Sequence, residues 1–179
     1  MANIVFIATS LDGFIADKQG KLDWLHAVPN PHNIDTGFLP LMARIDGLVM
    51  GRNTFEMVVS FDCDWPYTKP VFVLSNTLTQ VPKGYEDKVT LVHGELKNII
   101  TTLNSQGFNE LYIDGGITIQ HFLNEDLIDE MVITRLPILL GGGTALFGDL
   151  QQPLNFKVTS NKVILENLVQ TTYVRERLS

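Results

Sequence analysis

Short apolar runs that do not alternate with polar residues recur along the first two thirds of this chain. Residues 3–9 (NIVFIAT), 47–50 (GLVM), 71–74 (VFVL), 89–92 (VTLV) and 111–113 (LYI) read as strands. A strand that is apolar at successive positions needs cover on both faces, because successive side chains point to opposite sides. Helical candidates lie between the runs at 37–45, 54–59, 96–105 and 117–123. In the third, Ile99, Ile100 and Leu103 share one face, and Lys97, Asn98, Asn104 and Gln106 lie off it. Strands alternating with helices predict right-handed crossovers and a three-layer α/β/α arrangement with a mainly parallel central sheet.

The last third changes character. Residues 128–135 read as one more strand, and 155–160, 162–168 and 171–176 as three further ones. Their alternation, with breaks at Asn/Ser and Asn/Leu, predicts antiparallel pairing. The 179 residues predict a single domain spanning 1–179. A chain of this size buries about 70% of the surface it exposes when unfolded, enough for a core without staples. The loops at 26–36 and 60–70 each carry two prolines, and long loops in a compact domain tend to carry function.

Charge and composition limit the partners. Thirteen basic residues against 20 acidic ones give a net charge of −7, which argues against a general nucleic-acid binder. A small anionic ligand stays compatible with that balance, because a few local donors outweigh a diffuse field. Cys63 is the single cysteine, so the chain has no internal disulfide or multi-cysteine zinc site, and it reads as a small apolar filler. His26, His32, His93 and His121 are scattered without metal-ligand spacing, and no metal is expected. His121 reads as a surface or packing residue. The start, MANIVFIATSLDG, lacks the basic flank and long apolar run of a signal peptide, and no 18-residue apolar stretch occurs. The expectation is a soluble cytoplasmic protein with no membrane partner.

Three strand-to-helix junctions offer hydrogen-bond donors. In Leu48-Val49-Met50-Gly51-Arg52-Asn53-Thr54-Phe55 the strand ends at Gly51, and Asn53 or Thr54 is placed to cap the next helix. Such a junction aims backbone N–H groups beyond the strand's carboxyl end, and the Arg52 fork suits a phosphate ester. Leu111-Tyr112-Ile113-Asp114-Gly115-Gly116-Ile117-Thr118 repeats the arrangement, with two glycines that let a ligand approach the main chain. Val73-Leu74-Ser75-Asn76-Thr77 adds hydroxyl and amide donors. Each has a bland alternative as a cap or tight turn. Together they favour a phosphorylated cofactor across the strand ends. Neither G-x-G-x-x-G after a strand nor G-x-x-x-x-G-K-[ST] occurs.

Four segments in order then carry a resemblance over nearly the whole chain. They are Ser10-Leu11-Asp12-Gly13-Phe14-Ile15-Ala16, Asp46-Gly47-Leu48-Val49-Met50-Gly51-Arg52-Asn53-Thr54-Phe55, Ile113-Asp114-Gly115-Gly116 and Pro137-Ile138-Leu139-Leu140-Gly141-Gly142-Gly143. The chain resembles dihydrofolate reductase-fold proteins, most closely the group containing the reductase domain of riboflavin biosynthesis. That resemblance implies an oxidoreductase with NADPH as hydride donor, and 5-amino-6-(5-phosphoribosylamino)uracil reductase-like activity on a pteridine-like or ribosylaminopyrimidine-like substrate. It implies phosphate contacts at Gly51, Arg52 and Thr54, with Ser75 and Asn76 near the 2′-phosphate. Gly115, Gly116, Ile117 and Thr118 would hold the pyrophosphate, and Ala8 and Ile15 the nicotinamide. A homodimer is a further implication.

The substrate side is more open. Trp24 and Phe55 are candidates for the acceptor pocket, and Trp24 reads equally as a core anchor. Asp12 and Asp35 are the candidate proton donors. Asp12 has turn shaping as its alternative, and Asp35 has helix capping, the favoured of its two readings. Asp114 stands where dihydrofolate reductases have a glycine, and matches the riboflavin-reductase type. The arginine-rich stretch that the riboflavin enzymes carry after G-x-x-T is absent, and Asp62-Cys63-Asp64-Trp65-Pro66-Tyr67 is acidic and aromatic. Cations for a phosphoribosyl group would come from Arg44, Lys69 and Arg135. No deaminase motif is present, so only the reductase half is represented. Two other readings are a non-catalytic NADPH-binding module and a scaffold that binds no nucleotide.

Overall fold

The apolar runs become the core of one mixed sheet. The computed structural model describes residues 1–61 and 63–177, so Asp62 of the acidic loop lies outside the described residues. The strands in chain order are β1 (Ala2–Thr9), β2 (Phe14–Ala16), β3 (Gly47–Gly51), β4 (Val71–Leu74), β5 (Val89–Val92), β6 (Glu110–Asp114), β7 (Glu130–Arg135), β8 (Thr144–Ala145), β9 (Phe156–Ile164) and β10 (Leu168–Arg175). The described α-helices are α1 (Phe38–Arg44), α2 (Arg52–Ser60), α3 (Leu96–Ser105) and α4 (Gly116–Asn124). Eight strands form the sheet in the order β5-β4-β3-β6-β1-β7-β10-β9. The first six run parallel, and β10 runs antiparallel to both β7 and β9.

The non-alternating runs are explained by two cores, one on each face. Ile4, Leu48 and Tyr112 pack with Leu41, Met42 and Phe55 of α1 and α2. Their strand neighbours Val5, Val49 and Ile113 pack on the other side with Ile99, Ile119 and Phe122 of α3 and α4. Each strand thus loses both faces to helices, which removes any polar position from its pattern.

The chain reverses its direction of travel across the sheet between β3 and β6. From β3 it crosses through α2 to β4 on one side; from β6 it crosses through α4 to β7 on the other. Right-handed crossovers in opposite directions send the two helices to opposite faces, and a crevice opens where their starts diverge. Gly51 and Gly115 hold that point closed at its base. A Cβ on Gly51 would stand 2.7 Å from Thr118 Oγ1, and one on Gly115 would overlap Thr54 Oγ1. Each junction's glycine receives the other junction's threonine.

The C-terminal strands differ from the sequence reading. Instead of strands at 155–160, 162–168 and 171–176, two long ones form, and the reversal falls at 165–167, with Leu165 and Glu166 at φ 47° and 64°. Ser160 and Asn161 sit within β9, where Thr171 Oγ1 donates to Asn161 Oδ1 at 2.9 Å. β9 is the sheet's edge and is largely exposed, so its polar residues mark solvent rather than a turn. The β2–β8 ribbon and the 3-10 helix Asp23–Ala27 were not foreseen.

Gly115→Ala should therefore cost more than Gly107→Ala. Both glycines have φ near +95°, but a Cβ at Gly107 meets open space. Urea denaturation should give about 1–2 kcal/mol for the strain at Gly107 and at least ~1 kcal/mol more at Gly115. Equal losses would remove the junction contact as the reason.

Candidate active site

A cavity of about 840 Å³ lies at the carboxyl ends of β1, β3, β4, β5 and β6. Its floor is the crevice between α2 and α4. Both helices start directly from their strands, with Gly51 and Gly115 in the N-cap position and no side-chain cap. The expected caps, Asn53 and Thr54, instead lie within α2, because the helix begins at Arg52. First-turn N–H groups lack intrahelical acceptors, so two sets of donors and two positive dipole ends converge on one space.

Arg52 spans this end of the cavity. Its Nε donates to Glu56 Oε1 at 2.6 Å and its Nη1 to Thr77 Oγ1 at 3.1 Å, tying α2 to the turn after β4. Ser75 and Asn76 line the wall beside it. Ser75 Oγ accepts the Leu78 N–H at 2.9 Å and the Thr77 N–H at 3.2 Å, so its hydroxyl shapes this turn and keeps its proton to donate. Val92-His93-Gly94-Glu95-Leu96, the passage from β5 into α3, completes the wall, and His93 Nδ1 meets Ser75 O at 2.9 Å. Sequence reasoning missed this fourth junction, although it has the same strand, glycine and helix order as those at Gly51 and Gly115; the Ser75-Asn76 turn lacks a glycine and leads into β5 rather than a helix.

The other end of the cavity is apolar. Ala8 and Ile15 stand in its wall with Leu25, Met57, Val58 and Phe61. Polar side chains interrupt it, among them Tyr67, Asp114, Glu125 and Thr144. Burial pushes the Asp114 carboxyl above the usual carboxylate range, against the pull of the Gly115 N–H that donates to Oδ1 at 2.8 Å. Burial, and then the nearby Asp114 charge, raise the Tyr67 phenol. Both groups are held toward their neutral, proton-bearing forms.

The candidate residues divide sharply. Ala8, Ile15, Gly51, Arg52, Thr54, Ser75, Asn76, Gly115, Gly116, Ile117 and Thr118 all line this one cavity. Phe55 does not: fully buried, it faces the core behind Thr54 and meets Trp65 and Tyr85 edge-on, at centroid distances of 6.3 and 5.9 Å. Trp24 anchors a small cluster with Leu136 and Leu168 behind Ala8 and Leu25. Its Nε1 is buried without a hydrogen-bond partner.

Both candidate acids are committed elsewhere. Asp35 caps α1, accepting the N–H groups of Gly37, Phe38 and Leu39 at 3.1–3.2 Å. Asp12 accepts the Ser10 hydroxyl at 2.6 Å and the N–H groups of Leu140 and Gly141 at 3.1 and 2.8 Å. The Ser10 hydroxyl first, then the two amides, hold its pKa down to about 2. An acid of that strength has no proton to give near neutrality, and Asp12 acts as a latch between the β1–β2 turn and the loop before β8. Asp114 lines the cavity, as do Glu95 and Glu125, and its signal in the sequence was its place directly after the apolar run 111–113.

A sheet with its crevice at this switch point, flanked by uncapped helix starts, defines a dihydrofolate reductase-like domain. The RibD C-terminal domain family model matches residues 3–169, and the chain belongs to that family. It is similar to the uncharacterized protein YwjB of Bacillus subtilis strain 168, 31% identical over 175 residues, covering 96% of this chain and 97% of that one. A crystal structure of a Shewanella sp. PV-4 protein named for riboflavin biosynthesis is 73% identical, with a TM-score of 0.98 over 99% of this chain and 100% of that one. RibD of Acinetobacter baumannii shares the fold at 20% identity and a TM-score of 0.74, over 98% of this chain and 58% of RibD. Dihydrofolate reductase of Enterococcus faecalis, solved with NADP(H), shares it at 17% identity and a TM-score of 0.64, over 98% of this chain and 97% of that one. No described helix is long and apolar enough to cross a membrane.

Two carboxylates give measurable expectations. Asp12→Ala should speed hydrogen exchange of the Leu140 and Gly141 amides at least tenfold; unchanged exchange would deny the latch. Asp114 has a raised folded pKa, so its stabilising contribution is full below the unfolded carboxyl value and is lost as pH rises through the folded one. Asp114→Asn should consequently melt a few degrees higher than the native chain at pH 7.5, with the gap closing near pH 4. A gap that widens at low pH would reverse the sign of the argument.

Proposed function

We propose that the chain is an NADPH-dependent reductase that delivers hydride to a small planar acceptor, pteridine-like or ribosylaminopyrimidine-like. The observation that carries this reading is a single cavity that joins convergent N–H donors and Arg52 to an apolar wall and the buried Asp114 carboxyl. The residues fit a dinucleotide. Two uncapped helix starts suit a pyrophosphate, and Gly51 and Gly115, where a Cβ would run into Thr118 and Thr54, let those starts approach each other.

When bound, the nicotinamide supplies the hydride. Main-chain N–H groups of Gly116, Ile117 and Thr118, with those of the α2 start, take pyrophosphate oxygens. Arg52, held in place by Glu56 and Thr77, faces a phosphate ester, and Ser75 and Asn76 offer further donors beside it. Ala8 and Ile15 pack on the nicotinamide and keep water from it. Asp114 Oδ1 is occupied by the Gly115 N–H, which leaves Oδ2 to carry the proton that a reduced acceptor requires. This transfers the proton-donor role from Asp12 and Asp35, whose carboxylates are spent on a latch and a cap.

Arg52→Ala tests the reading. Losing a charge-assisted contact of about 1.5–3 kcal/mol should weaken NADPH by roughly 10–100-fold and NADH far less, measured by fluorescence titration. Equal losses for both would count against a phosphate-ester role. Tight NADPH binding without oxidation by any pteridine, aminopyrimidine or simple carbonyl would favour a binding module instead.

A further inference from the structure

The position of every cation bears on which acceptor this cavity accepts. The chain has 13 lysines and arginines, and Arg52, at the donor-rich end, is the one on the cavity wall. Asp62, Leu178 and Ser179, outside the described residues, add none. The three cations that the sequence offers to a phosphorylated acceptor lie elsewhere. Arg44 is paired with Glu110 at 3.1 Å and Glu130 at 2.9 Å, the first residues of β6 and β7. These are the amino ends of the strands, opposite the cavity. Lys69 precedes β4 at that same end, where its charge acts on Asp46. Arg135 closes β7, two strands beyond β6, with its side chain exposed. Lys18 and Lys21 stand in the exposed turn at the cavity mouth, and the carbon stem of Lys18 lies over Gly142.

The acceptor end itself is built for a different ligand. Ile15, Leu25, Met57, Val58 and Phe61 line the cavity with Tyr67 and Asp114, and Glu95 and Glu125 add further carboxyls to the same wall. A phosphate monoester carries close to two negative charges at neutral pH. Here it would exchange water for hydrocarbon beside a carboxyl group, with Arg52 at the α2 start and Lys18 and Lys21 out in the exposed turn rather than on this wall. A neutral ring buries its faces on the same wall. A ring carbonyl or imine then accepts hydrogen bonds from the phenol and the carboxyl, both held toward their protonated forms by burial.

We infer that the acceptor end takes an uncharged ring compound bearing a conjugated carbonyl or imine and rejects phosphate monoesters. The chain would thereby differ from the phosphoribosyl specificity that its resemblance to riboflavin reductases implies. The inference rests on reading the cavity as a nicotinamide site, so its test begins there. Adding NADP⁺ to the full chain should raise the melting temperature. The NADP⁺-saturated protein is then titrated calorimetrically with 5-amino-6-(5-phosphoribosylamino)uracil and with the same compound lacking its phosphate.

The expected result is at least tenfold tighter binding of the phosphate-free compound. Equal affinities, tighter binding of the phosphate, or no binding of either compound would overturn the inference while leaving the nucleotide reading intact. A chain that NADP⁺ does not stabilise loses both.

Discussion

The two strand-to-helix junctions meet through a pair of glycine–threonine contacts, and the rest of the site follows from that meeting. β3 and β6 are parallel neighbours in register from Gly47 and Leu111 to Met50 and Asp114, so their chains leave the sheet side by side. Handedness then sends α2 and α4 to opposite faces. Two helices starting next to each other and diverging would leave a gap at the sheet end. Thr118 on Gly51 and Thr54 on Gly115 fill its base while leaving the N–H groups above uncovered. Larger residues at either glycine would push the helix starts apart and separate their two sets of donors. The requirement for glycine is thus one of close approach at Gly51, and of both close approach and a positive φ at Gly115.

That geometry also sorts charge. A net charge of −7 is compatible with a small anionic ligand once the positions are considered. Several of the acids are spent on the framework: Glu110 and Glu130 bind Arg44, Asp126 and Asp129 bind the C-terminal arginines, and Asp46 binds two amides of the β6 entry. Backbone N–H groups supply positive potential at the crevice without any lysine. The same economy of cations leaves Arg52 as the one lysine or arginine on the cavity wall.

The parts legible in the sequence were those set by one element alone. Continuous apolar runs gave the parallel strands, and glycine at a strand end gave the junctions, because both depend on local backbone geometry. Side-chain direction past a junction was not legible. Thr54 and Phe55 are adjacent, yet one reaches the cavity and the other the core, a choice fixed by the helix starting at Arg52 rather than two residues later. Asn161 looked like a turn because edge strands and turns share polar residues, and only pairing with Thr171 separates them. The β2–β8 ribbon was too short, at three and two residues, to leave a periodic signal.

Three aspartates show how environment assigns roles to one side chain. Asp12 and Asp35 stand in turns between elements and Asp114 ends β6, and composition cannot rank them as acids. Asp12 receives a hydroxyl and two amides, and Asp35 receives three amides; each is an acceptor saturated by donors, which serves structure. Asp114 receives one amide and is enclosed by Tyr67, by its β6 neighbour Tyr112 and by the apolar end of the sheet. A carboxyl with few donors and little water keeps its proton to higher pH. The candidate acid is therefore identified by what its surroundings withhold from it, and that shortage arises because β6 is buried on both faces up to its last residue.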